Sequence, residues 1–277
     1  MDNVTLVLFS AVGMMIVAAV FIAYWRRVSK LQFRWFWLGA GLWTIGAVIL
    51  KSVFALLAHE TAIGMMGEHL PYPLFVLAGG LFVGAYSSLS EIGLVLLAVI
   101  IWRKLGTDAN RAIGIGIGAG AFEAFLLGVV VLVPVCIALA GMPGGESIRE
   151  EYDAAAVVTP LFWLVPPLER IIAILLHTTS RTLVLLGVVQ RKYMMVFWGF
   201  LIFTLADGVV GAVIVSEKMG QFSMWWIELA VFPVVIISIP ILRWCYRNGG
   251  SLDDSGAEPK ILSAQQGTPA DADNPRR

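Results

Sequence analysis

Four ionisable side chains stand inside long apolar runs: Glu91, Glu123, His177 and Asp207. A carboxylate or imidazole in hydrocarbon is costly and marks a functional site by default. Counted at about 1.5 Å per helical residue from the basic end of each run, Glu91 and Glu123 lie roughly 18 Å deep, and His177 and Asp207 roughly 21 Å. Four groups on four runs therefore share one layer. Converging, they can pass protons, order a water or hold a metal. In a hydrolytic reading Glu91 or Glu123 is the general base, His177 an electrophile or ligand, and Asp207 an orienting group or ligand. Three protein ligands and a water suit a catalytic zinc, and Glu123, His177 and Asp207 could supply that set. Lys51, Arg170 and Arg181 are further charges at membrane depth; Arg181 lies one turn beyond His177, on the same face. Glu169 and Arg170 fall nearer the outer surface, where they pair with the acids or snorkel. Ser87, Ser88 and Ser90 crowd near Glu91, but no spacing pairs one of them with a base. The plain alternative is that these polar groups only glue helices together.

The elements that must carry these residues are membrane helices. Of 277 residues 59% are hydrophobic and 14% charged, more apolar surface than a soluble domain of this length can bury. Seven runs reach the length of about 18 to 20 residues that crosses a bilayer. They cover about 4–25, 33–57, 73–102, 111–141, 160–189, 193–215 and 224–246. The expected fold is an all-α polytopic bundle, with residues 1–247 a single transmembrane domain. Residues 248–277, rich in Gly, Pro, Ser and Asp, read as a disordered cytoplasmic tail. Basic residues such as Arg26, Arg27, Arg103, Lys104, Arg191 and Lys192 collect in alternate loops, while the opposite loops hold only Arg149 and Lys218. The positive-inside rule then places the N-terminus outside, the tail in the cytoplasm and the chain in the cell membrane as a multi-pass protein. Residues 58–72 and 142–152 read as loops, and Pro166-Pro167 set the start of the fifth span. Cys136 and Cys245 belong near opposite faces, so they are expected to be separate buried thiols. Net charge is zero, which points away from nucleic acid.

The fourth span is glycine-rich. A phosphate-binding loop would need a strand before it, which a membrane span excludes. Gly116 and Gly120, with Ala112 and Ala124, recur every four residues, as do Gly114 and Gly118, so the favoured reading is close helix packing. A bent or broken helix bringing backbone groups to Glu123 is the alternative.

Three segments resemble the YhfC family of intramembrane metalloproteases, a group distantly akin to the PrsW and CAAX-prenyl proteases. They are GIGIGAGAFEAFLLG around Glu123, LERIIAILLHTTSRTLVLLGV around His177, and FTLADGVVG around Asp207. The resemblance covers spans two to six. It implies peptide-bond hydrolysis inside the membrane, with Glu123, Glu169, His177 and Asp207 at the family's polar positions and a metal as the implied cofactor. The chain departs from the family pattern at Ala119 and Phe203 or Thr204, where histidines are usual. It also carries Ser90 for the first of two glutamates and Leu94 for an arginine. Expected partners are membrane lipid and a membrane-embedded peptide or protein substrate. A non-catalytic binding scaffold and a proton-coupled transporter are the other functions open to such a layer.

Overall fold

The structure is a computed structural model that describes residues 2–218 and 220–249. Among the described residues, seven helices are long and apolar enough to cross a membrane. The chain is a multi-pass membrane protein. In chain order the helices are α1 (Asn3–Ser29), α2 (Phe33–His69), α3 (Tyr72–Ile101) and α4 (Ala109–Leu139), then α5 (Gly145–Val158), α6 (Val165–Val189), α7 (Tyr193–Val215) and α8 (Trp225–Asn248). The short α5 is the one that does not span. The assigned tail lies outside the described residues apart from its first two, of which Asn248 is the last of α8.

Helix α6 is the axis of the bundle: its most apolar window is 78% buried, against 17% to 50% for the other spans. It packs on α4, α7, α8, α1 and α3. Being central, it can carry a polar run, Thr178 to Thr182, that hydrocarbon would reject. Three hydroxyls in this run donate back along the helix, Thr178 to the Ile174 carbonyl (2.6 Å), Thr179 to Leu175 (2.8 Å) and Ser180 to Leu176 (2.8 Å). Its start follows from chemistry already visible in the chain. Pro166 and Pro167 occupy the first turn, where missing N–H groups cost nothing, after a 3-10 turn at Phe162–Leu164.

The glycine-rich α4 is an unbroken helix, and its two small-residue rows face two partners. A Cβ on Gly116 would sit 2.6 Å from Thr178 Cα, and one on Gly120 would sit 2.8 Å from Ile174 Cα, both on α6. A Cβ on Gly118 would collide with the Phe36 backbone of α2, and one on Gly114 with Leu31 in the α1–α2 connection. A second zipper joins α3 to α7, where Gly80 and Gly84 meet Gly208 and Ala212.

Three expectations need correction. Residues 58–69 continue α2 instead of forming a loop, through two π-helical stretches, Thr44–Leu50 and Ala55–His59, on either side of Lys51. The polar segment 142–152 is mostly helical. Its Glu-rich face suits water while Ile148, Tyr152 and Ala155 pack against α1 and α4, and Gly144 opens it with φ +86°. Cys136 is exposed on α4, whereas Cys245 is buried; both are free thiols.

Candidate functional site

Close approach of α4 to α6 is what builds the site. With no side chain at Gly116 or Gly120, Glu123 is carried one turn further to meet His177. His177 Nε2 lies 2.6 Å from Glu123 Oε2, the other carboxylate oxygen accepts from Arg170 Nη1 at 2.8 Å, and Arg170 also binds Glu169. The Nε2–Oε2 approach is short but poorly aligned for a hydrogen bond, so Oε2 has no aligned donor. Residues 170, 177 and 181 recur at helical spacing, so one face of α6 supplies all three.

The second half of the site hangs on α3. Glu91 Oε2 accepts from Arg181 Nη2 at 2.9 Å and lies 3.9 Å from His177 Nδ1; its other oxygen is 3.7 Å from Lys51 Nζ. The Arg181 guanidinium is fully buried and lies over the Phe203 ring at 5.5 Å, and Phe203 also meets His177 edge-on. Asp207, brought in by the α3–α7 glycine zipper, accepts from Ser87 and from Lys51 Nζ at 3.3 Å. The four groups therefore lie close together in space, but they divide into smaller clusters. Glu123 goes with His177 and Arg170, Glu91 with Arg181, and Asp207 with Ser87 and Lys51.

These groups border one cavity of about 290 Å³. Lys51, Glu91, Glu123, Arg170, His177 and Asp207 line its polar side. Phe203, Val210, Ile214, Ile227 and Val231, from α7 and α8, line its apolar side, with Glu228 at the edge. Arg181 lies behind Glu91 and does not reach the cavity.

Lys51 is the residue sequence reasoning undervalued. It was legible as a lone charge at membrane depth, yet nothing in the sequence linked it to Glu91 or Asp207. The link is the course of α2: a Cβ on Gly46 would sit 3.0 Å from Glu91 Cα, so α2 crosses α3 there in near backbone contact. The π-helical turn around it then directs Lys51 inward. Ser87, which no spacing pairs with a base, donates to Asp207.

Comparison with known proteins identifies a family. A family model described as YhfC intramembrane metalloprotease matches residues 13–231, from α1 into α8. The chain belongs to the YhfC family. No curated protein and no solved structure matches it. The match includes all four layer residues, and also Ala119 and Ser90. Ala119 is wholly buried one turn before Glu123, where α2 approaches α4 at Gly39; Ser90 donates to the Tyr86 carbonyl at 2.8 Å.

The YhfC family's description implies a metal, and the donors present do not fit one. Among the described residues no three His, Cys, Asp or Glu side chains converge as a metal needs. The expected zinc set is split, with Glu123 beside His177 but Asp207 held by Ser87 and Lys51. Lys51, Arg170 and Arg181 already pair with these carboxylates, so a dication would have to compete with three resident cations.

Proposed function

We propose that the chain hydrolyses a peptide bond of a membrane-embedded substrate, with the Glu123–His177 pair as proton acceptor and Lys51 as electrophile. The observation that carries this is the pair itself: an imidazole nitrogen 2.6 Å from a carboxylate, on the wall of a cavity within a helix bundle. A water beside the pair gives a proton to it and its oxygen attacks the scissile carbonyl carbon. The proton, taken up by the pair, is then returned to the leaving nitrogen as the C–N bond breaks. Arg170 fixes Glu123 from its other oxygen, so the carboxylate faces His177. Lys51 has three N–H donors, of which Asp207 accepts one at 3.3 Å and Glu91 attracts a second from 3.7 Å, and its side chain is 32% exposed. The third donor is free to hold the carbonyl oxygen as it gains charge. The apolar wall from α7 and α8 suits an apolar segment.

Purified protein in liposomes with a quenched transmembrane peptide reporter tests this. Glu123→Gln and His177→Gln should each lower turnover at least about a hundredfold, and Lys51→Met by a similar factor. A zinc chelator should leave the rate unchanged. Turnover that survives both Glu123→Gln and His177→Gln defeats the assignment.

A second reading, a non-catalytic scaffold, draws on the same charge compensation, since paired acids also stabilise a bundle. It predicts substrate-segment binding without cleavage, and binding that persists in Glu123→Gln.

A further inference from the structure

On the opposite side of α4 from the catalytic cavity lies a second concavity that the site does not use. Helices α1 and α2 both pack on α4 but hardly touch each other, which leaves a groove floored by α4. Its volume is about 350 Å³, within the range of small-ligand sites. Small residues Ala18, Ala40, Gly118 and Ala121 make its base, and Phe33, Trp37 and Phe125 stand exposed around it. Ala19, Ile22 and Phe33 continue from this groove onto a basic shelf formed by Arg26, Arg27 and Lys30. The Arg26 guanidinium sits 4.0 Å above the Phe33 ring, at the junction of groove and shelf. Among the described residues no carboxylate lies within 4.0 Å of these three cations.

We propose that this groove and shelf bind one anionic phospholipid of the bilayer, its acyl chain between α1 and α2 and its phosphate on Arg26, Arg27 and Lys30. Basic residues at a helix C-terminus are common for electrostatic reasons alone. What singles these out is their continuity with an apolar groove at membrane depth, which matches a molecule that is anionic at one end and apolar along its length. Juxtamembrane basic clusters attract anionic headgroups, and a groove adds selection for the attached chain.

Native mass spectrometry of the full chain, with phosphatidylglycerol and phosphatidylcholine of identical chains, tests this. The wild type should retain phosphatidylglycerol at least about tenfold more strongly, since each basic residue is worth about 1 kcal/mol to an anionic headgroup. Arg26→Gln/Arg27→Gln/Lys30→Gln should erase that preference. Ala19→Trp, at an exposed position that lines both parts, should lower retention of both lipids. Added salt should weaken the preference in the wild type, a readout that needs no variant. Three results overturn the proposal: a preference that survives the triple variant, retention unchanged by Ala19→Trp, or glycerol 1-phosphate displacing the lipid at equal concentration. A bound second copy of the chain in place of lipid overturns it too.

Discussion

At the scale of single residues, the governing fact is that each buried charge has an opposite charge in contact. Arg181 and Glu91 are 0% and 4% exposed in their side chains and 2.9 Å apart. Removing one partner strands the other, which costs about 3–5 kcal/mol, whereas replacing both with apolar groups is far less damaging. Arg181→Met should therefore destabilise the protein by roughly that amount in detergent unfolding, and Arg181→Met/Glu91→Leu should recover much of it. A double variant no more stable than the single one would show that the pair is not coupled. Asp207 presents a milder case, because Ser87 and Lys51 share it and it is a quarter exposed. Asp207→Asn keeps the Ser87 contact, so it should cost stability less than Arg181→Met in the same unfolding measurement.

At the scale of elements, glycine decides which helices touch. A Cβ at Gly116 would press on α6 backbone, while a Cβ at Gly93 of α3 would meet nothing within 4 Å. Gly116→Val should thus cost about 1–3 kcal/mol through forced separation of α4 from α6. Gly93→Ala should stay within about 0.5 kcal/mol. Thermal unfolding of the two variants side by side checks this; equal losses would mean that packing at Gly116 is not the cause. Gly116→Val should also lower turnover, because it moves Glu123 away from His177. The α1–α5 contact adds polar pairs to its apolar packing. Asp2 accepts from the Thr5 amide at 3.1 Å and pairs with Arg149 at 3.3 Å, and Asn3 donates to Asp153 at 2.7 Å. The hydrogen bond from Thr5, then the Arg149 guanidinium, hold the Asp2 carboxyl below its ordinary value. A group depressed on folding stabilises above its unfolded pKa and loses that as pH falls through the folded one. The protection of α5 amides relative to their intrinsic exchange rates should therefore be flat from pH 7 to 5 and fall below about 4. Asp2→Asn should show the lower protection already at pH 7.

At the scale of the whole molecule, the bundle is an inverted globule. Side chains such as Leu56, Leu57 and Ile101 are more than three-quarters exposed, while Arg181, Glu91 and His177 are buried. That arrangement is stable only with hydrocarbon outside. The excess of basic residues in alternate loops leads to the expectation of an outside N-terminus and a cytoplasmic end of α8. Single cysteines in place of Asp2 and of Arg103 should then be labelled by an impermeant thiol reagent from opposite sides of sealed vesicles. Labelling of both from one side would refute that orientation. The groove between α1 and α2 belongs to this scale as well, since it exists only because two helices share a third.

Much of this was readable in the chain itself. Span number follows from apolar length, because a bilayer leaves backbone groups no partner but their own helix. The common depth of Glu91, Glu123, His177 and Asp207 follows from the constant rise of a helix. Glycine spacing in α4 marked a packing surface, since spacing is local. Tertiary structure decided everything that depends on azimuth and crossing. Helical periodicity places a residue on a face but does not say which neighbour that face meets. So Gly116 and Gly120 could not be assigned to α6, or Gly114 and Gly118 to α2 and its connection. The expectation of one convergent ligand set gave way to three paired clusters for the same reason: depth is a one-dimensional quantity, and ion pairing is settled in the other two. Lys51 shows the limit most clearly. Its type and depth were plain in the sequence, but its contact with Asp207, 156 positions away, waited on a π-helical turn and on α2 crossing α3 at Gly46.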